Sequence, residues 1–220
     1  MQNINIILQG TVGSIAQGLN TENSDRDTLG IYVAPTEEIL SLNKPKESIV
    51  KNKPDVTYHE IEKYLTLALK CNPTILELLF LSKYEVKTEE GKCLLGIRKL
   101  FLSNIVRKSY GGYAISQINR LKRIGHYNKG LQKRFEKHTR HCFRLIQQGK
   151  ELLETGSLTV KVNNKEELFE ISKQSIDIII KKFNIAFADF ENTKSVLPDK
   201  PDYKIISDYL VWTRRYNAKF

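Results

Sequence analysis

Gly13-Ser14 closes an apolar run, and about ten residues later the chain reads Ser24-Asp25-Arg26-Asp27. Alternate residues of an extended segment project from one face. Asp25 and Asp27 therefore stand side by side if this stretch is a strand. Carboxylates that close repel each other unless a cation lies between them. A hard divalent ion that prefers oxygen ligands is the natural partner, Mg²⁺ first and Mn²⁺ second. A Gly-Ser turn beside such an ion offers backbone N–H groups to phosphates. Together these residue types support phosphoryl or nucleotidyl transfer.

Chemistry of this kind needs a sheet to hold it. Ile4, Ile6 and Leu8 alternate, so residues 4–12 read as a strand. The Gly-Ser turn opens a short helix to about Gly18, and NTENS follows as a polar loop. DRDTLGIYV (25–33) reads as a second strand, ended by Pro35. NKPKESIVKNKPD is a basic, proline-containing connection, and DVTYHEI (55–61) is a third short strand that turns into a helix. Ile61, Tyr64, Leu65 and Ala68 then take helical spacing. Asn72 caps a further helix that has Pro73 at its first position. Beyond Leu100, helices are expected at 103–124, 131–155, 165–173, 175–191 and 202–217. Gly156 stops the second of these, and LTVKV (158–162) reads as a short alternating strand. The fold class this predicts is α+β: a small mixed sheet with flanking helices, then a mostly helical C-terminal half. Two domains are expected, 1–100 and 101–220, packed together with a cleft between them.

The chain of 220 residues is 40% apolar, enough to fill a core, and carries a formal charge of +10. That charge favours a polyanionic partner such as nucleic acid or nucleotide, although a lysine-rich solvated surface accounts for it equally well. Cys71, Cys93 and Cys142 show no metal-ligand or redox spacing. His59, His126, His138 and His141 have no zinc-site pairing with cysteine. The N-terminus lacks a basic signal-peptide start, and no run approaches the roughly 18 apolar residues of a membrane span. A cytoplasmic protein with no membrane partner is the expectation.

The long helix at 131–155 is the second candidate region. Arg134, Lys137, His141, Arg144 and Gln148 share one face, and Phe135, Cys142, Ile146 and Leu153 the opposite one. Basic stripes are usually solvated, but ion-paired surface helices intersperse Glu, and this stripe has none. Tyr110, Tyr113, Gln117 and Arg120 also fall at helical spacing. That stripe can stack bases, but interhelix packing is the preferred reading. His138 lies nearer the apolar edge and reads as packed. RLKRIGHYNKGLQKR (120–134) is a basic corner suited to a phosphate backbone, or simply solvated.

The order of the first motifs resembles the polymerase-β-type nucleotidyltransferase superfamily. Its signature is an apolar residue with Gly-Ser, then Asp-x-Asp, then a third carboxylate on a later strand. VGS, SDRDTLG and PDVTYHE match that order. The chain is most similar to a bacterial and phage subgroup, the predicted nucleotidyltransferases associated with RNA repair pathways. NPTILELLF, KHTRHCFRLIQQGKELLETGSLTV and LPDKPD resemble later blocks of that subgroup, so the likeness spans most of the chain. Gln17 departs from it, because relatives usually carry an aromatic residue there, typically Tyr.

The resemblance implies a two-metal displacement, the third carboxylate joining for the second ion. Asp25 and Asp27 would hold Mg²⁺ on the triphosphate of an NTP. Asp55, at the start of the third strand, matches the third carboxylate. Its rival, Glu60, is expected to face out from the first turn of a helix. Gly13 and Ser14 would bind phosphates, and Lys137, His141 and Arg144 would contact the nucleotide phosphates or an acceptor strand. The implied reaction moves an NMP from an NTP to a hydroxyl and releases pyrophosphate. With the basic charge, an RNA or other nucleic-acid end is the expected acceptor. The alternatives are nucleotidylation of a protein or small-molecule hydroxyl, as in antitoxin-like or antibiotic-modifying relatives, and a nucleotide-binding module without turnover.

Overall fold

The computed structural model describes residues 4–22, 24–125 and 131–218. His126 and the middle of the basic corner therefore lie outside the described residues. Contacts gather the chain into two units, Met1–Leu102 with Pro201–Phe220, and Ser103–Lys200.

The first unit is built on a five-stranded mixed sheet. Its strands, numbered along the chain, are β1 (Asn5–Val12), β2 (Asp27–Val33), β3 (Ser48–Asn52), β4 (Asp55–Glu60) and β5 (Val86–Lys87). They lie in the order β3-β4-β2-β1-β5. β2 runs parallel to β4, and every other pairing is antiparallel. Between and after the strands run α1 (Gly13–Ala16), α2 (Thr36–Leu40), α3 (Ile61–Leu69), α4 (Pro73–Leu79) and α5 (Glu89–Gly96).

Register separates the two faces of the sheet. Gly10 pairs with Leu29, and Val12 with Asp27, so these four share one face. A side chain at Gly10 would meet Leu78 and Leu81, which places α4 over that face. Ile7, Leu8, Ile31, Ile61, Tyr64, Leu76, Leu78 and Leu79 are buried in this unit. The other face carries a polar network: Gln9 and Thr11 donate to Glu85 at 2.7 Å each, and the Tyr58 hydroxyl donates to Gln9.

Two expectations for this unit change. The connection NKPKESIVKNKPD contains β3, an edge strand. Its Lys51 and Asn52 look like loop residues because edge strands carry polar side chains against aggregation. The last helix (Tyr203–Tyr216) belongs with the sheet, not with the preceding helices as the 101–220 division had it. Long-range bonds hold it there: the Tyr209 hydroxyl donates to the Glu90 carbonyl at 3.0 Å, and Arg214 grips Glu60.

The second unit is helical, with α6 (Ile105–Gly125), α7 (Gln132–Thr155), α8 (Lys165–Ser172) and α9 (Ile176–Asn192); the helix at Tyr203–Tyr216 is α10. α7 ends at Gly156, in the left-handed conformation at φ 63°, whose N–H returns to the Leu152 carbonyl. Arg107 donates to the carbonyls of Phe190, Glu191 and Thr193, satisfying the end of α9. LTVKV is not a strand. Leu158 and Val160 are buried, as alternation demands, but no partner strand among the described residues offers a ladder. The Thr159 and Val160 carbonyls accept instead from the Gln148 side chain. The α+β arrangement, a mixed sheet followed by a mostly helical stretch, is as expected. No helix among the described residues is long and apolar enough to cross a membrane.

Candidate active site

The site begins where β1 ends. Val12 precedes the four-residue α1, and Gly13 takes φ +70°, a left-handed conformation that favours glycine. A Cβ on Gly13 would come within 2.4 Å of Asp27 Oδ2. Glycine is therefore needed here to leave room for the Asp27 carboxylate. The cross-strand pair Val12–Asp27 explains the contact, because it puts the turn beside the first residue of β2.

Asp25 precedes the strand; β2 starts at Asp27, two residues later than expected. Asp25 is exposed and Asp27 half-buried. Arg26 points the other way. Its guanidinium donates to Thr11 at 3.0 Å and to Glu85 at 2.8 Å. Thr11 first, then Gln9 and Arg26, hold the Glu85 carboxyl below its usual range against the opposing effect of burial. This anchor fixes the loop at the residue between the two aspartates.

The parallel register sets Asp55 and Glu60 at opposite ends of β4. Thr28 pairs with Val56, so Asp55 comes one step before that pair, next to Asp27 and on its face of the sheet. Glu60 pairs with Tyr32 instead. It lies five residues along β4, about 16 Å away at the usual strand rise. Glu60 was expected to face outward, and the structure corrects this. Its side chain is 6% exposed and meets Arg214 through two hydrogen bonds of 2.6 and 2.9 Å. It also accepts from the Glu62 and Ala34 N–H groups. A carboxylate at a helix start attracts the orphan amides there, and a buried one requires a cationic partner. Asp55, by contrast, is exposed.

One residue of this region was missed. Glu77, on α4, is buried at 4% exposure. It accepts from the Gly13 N–H at 2.6 Å and from Gln17 Nε2 at 2.8 Å. The available signal was an acidic residue inside the apolar run Thr74-Ile75-Leu76-Glu77-Leu78-Leu79, where a charge is not tolerated without partners. Gln17, the departure from the family pattern, is thus one of Glu77's partners.

The donors available at this end of the sheet are carboxylate oxygens, the set a hard divalent ion prefers. Asp27 and Asp55 are neighbours by register, and Asp25 stands on the loop just before them. No three His, Cys, Asp or Glu side chains are arranged to hold a metal ion among the described residues.

In the helical unit the basic stripe of α7 sinks as it runs. Arg134 and Lys137 are exposed, His141 is half-buried, and Arg144 and Gln148 are 3% and 5% exposed. Arg144 hydrogen-bonds Gln148, and also meets His141 Nδ1 at 2.8 Å. Burial and then the Arg144 charge push the His141 pKa down to about 3, so its ring is neutral at pH 7. His138 packs as expected, with its Nδ1 2.7 Å from Gln117 Oε1. Tyr110 is buried, and Tyr113 and Arg120 are exposed.

A sequence model of the RNA repair pathway DNA polymerase beta family matches residues 1–185. The chain belongs to that family. The match covers the Gly-Ser turn, all five strands and the helical unit as far as α9, and stops short of α10. Membership in a polymerase beta family supports a nucleotidyltransferase-type role and an involvement with nucleic acid. No curated protein matches the chain.

Proposed function

We propose that the chain is a divalent-cation-dependent nucleotidyltransferase that moves an NMP from an NTP to the hydroxyl of a nucleic-acid end, with an RNA 3′ end as first choice. The supporting observation is the register that puts Asp27 beside the Gly13 turn and Asp55 beside Asp27, in a member of a polymerase beta family. Asp27 and Asp55, with Asp25 drawn in from the loop before β2, would come together on Mg²⁺ as it binds. Bound there, the ion would neutralise the triphosphate and lower the pKa of the attacking hydroxyl.

The chain's own residues do the rest by position and charge. Glu77 occupies the Gly13 amide. The Ser14 amide and hydroxyl, next in the turn, are therefore the phosphate donors of the motif. The acceptor oxygen attacks the α-phosphorus, the bond to the β-phosphate breaks, and pyrophosphate leaves. The hydroxyl proton passes to Asp55 or to solvent. Lys137, with Arg134, supplies positive charge for a phosphate backbone. His141 and Arg144 were expected to contact phosphates too. With His141 neutral and Arg144 buried, the reading favours the exposed pair at the start of α7.

The test combines Mg²⁺, each of the four NTPs and an RNA with a 3′-hydroxyl, and looks for extension by one nucleotide. The double variant Asp25→Asn/Asp27→Asn should lose it. Turnover that survives this change would refute the site. Label transferred only to protein or small-molecule acceptors would reassign the acceptor, and NTP binding indifferent to Mg²⁺ would leave a binding module.

A further inference from the structure

We propose that Glu77 is a positioning residue, a carboxylate clamp that ties both ends of the Gly13–Gln17 turn and thereby sets where the Asp27 carboxylate lies. The functional part of this inference rests on the nucleotidyltransferase reading; the geometric part does not.

The argument starts from the placement of a charge. Glu77 is 4% exposed on a helix whose neighbouring residues Leu76, Leu78 and Leu79 are fully buried. A carboxylate so placed needs strong donors. It takes one from each end of α1. Oε1 accepts from the Gly13 N–H at 2.6 Å, and Oε2 from Gln17 Nε2 at 2.8 Å. Gly13 is the first residue of α1 and Gln17 its C-terminal cap, so one side chain straddles the whole element. An isolated four-residue helix is far below the length at which helices hold themselves. Its shape must come from outside, and Glu77 supplies it.

Gly13 carries the effect onward. Its Cα lies against Asp27, close enough that any Cβ would strike Oδ2. The peptide that Glu77 holds is therefore the wall on which the Asp27 carboxylate rests. Both Glu77 oxygens accept hydrogen bonds within the turn, so its carboxylate acts on Asp27 through Gly13. Charge-assisted bonds to a backbone amide are among the stronger and more directional of protein hydrogen bonds. Small displacements of a reacting or ligating group cost catalysis disproportionately.

This predicts a specific pattern for Glu77→Gln. The amide has one acceptor oxygen where the carboxylate has two, so it keeps the Gly13 N–H only through an uncharged bond and keeps Gln17 only if that side chain turns over to present its oxygen. Turnover should fall by about tenfold, while the KM for NTP changes by less than about twofold. In protein without metal or nucleotide, the Gly13 amide, followed by NMR hydrogen exchange, should exchange at least about tenfold faster than in wild type. The swap Glu77→Gln/Gln17→Glu should restore both readouts to within about threefold. There the new amide donates to the new carboxylate and keeps an oxygen for the Gly13 N–H. A residue important only for stability would lower the melting temperature without this rescue.

Unchanged Gly13 exchange in Glu77→Gln, or a swap no better than the single variant, would overturn the clamp. Faster exchange with wild-type turnover would overturn its role in positioning Asp27. If wild-type protein transfers no nucleotide to any acceptor, the nucleotidyltransferase reading fails, and the exchange data still decide the clamp.

Discussion

Asp55 and Glu60 stand at opposite ends of one strand and have opposite fates. Asp55 is exposed and neighbours Asp27 through the parallel register. Glu60 is buried, caps α3 and is gripped by Arg214 from a helix 154 residues further along the chain. Both carboxylates fit the loose pattern of a third acidic residue after Asp-x-Asp. What separates them is the use to which the fold puts their charge. At one end of β4 the negative charge is left at the surface, where a cation can join it. At the other end the charge is already neutralised and contributes to stability. Substitutions at the two ends should therefore report through different measurements.

The largest expected effect is at the exposed end. Asp55→Asn removes a charge without changing shape. The nucleotide-transfer rate should fall by about 100-fold or more, while the urea midpoint of the free protein stays within experimental error. A variant that transfers normally would move the third carboxylate away from Asp55 and break the comparison.

The buried end should show the reverse. Arg214→Met leaves Glu60 buried without its cation, which costs about 3–5 kcal/mol, read by equilibrium unfolding. Transfer per folded molecule should be unchanged. Replacing both partners with Glu60→Leu/Arg214→Met should recover most of that loss, because two apolar side chains need no mutual neutralisation. The α3 cap would still be missing, at about 1 kcal/mol. A loss of transfer that persists in the stabilised pair would place Glu60 in the chemistry.

How much of this was legible in the sequence depends on the range of the interaction involved. The Gly13 turn and the strands β2 and β4 were readable because turn chemistry and strand alternation are local. The Asn72 cap and the Gly156 stop were readable for the same reason, since each rests on one residue's local chemistry. Glu60 was misread because its partner is Arg214, and nothing in residues near Glu60 announces a guanidinium so far along the chain. β3 was missed because Lys51 and Asn52 carry the composition of a loop, which exposed edges share. LTVKV erred in the other direction. Its alternation is real, but alternation specifies which side chains face inward and does not supply a neighbouring strand.

The α7 stripe extends the comparison to the helical unit. His141 resembles Glu60: a polar group drawn into the interior, here with its pKa pushed from 6.5 to about 3. Between those values the unfolded chain binds a proton that the folded chain does not. His141 therefore contributes its full stability above about pH 6.5, and that contribution declines as the pH falls toward 3. The slope reaches about 1.4 kcal/mol per pH unit. His59 and His138, also shifted down, act with the same sign. Urea midpoints of wild type and His141→Gln across pH 7 to 4 isolate the one residue, because the other two are common to both proteins. The variant's profile should be flatter by about that slope. Equal profiles would show that His141 is solvated and belongs with Lys137.

The smallest effect tests whether support for the site comes from the beginning of α4 or from Glu77 itself. The Asn72 side chain accepts from the Thr74 N–H at 3.0 Å and the Ile75 N–H at 3.4 Å, at the start of the helix that carries Glu77. Asn72→Ala removes that cap, and about 1 kcal/mol of stability should go with it, seen as a lower urea midpoint with unchanged slope. Glu77 lies at the fifth position of α4, one turn beyond the capped amides, and is flanked by the fully buried Leu76 and Leu78. Fraying of the first turn stops short of it, because those leucines hold the helix by packing and not by the cap. Transfer should therefore stay within about twofold of wild type. A larger fall would mean that the cap and the clamp move together, so that the placement of Asp27 depends on the whole of α4.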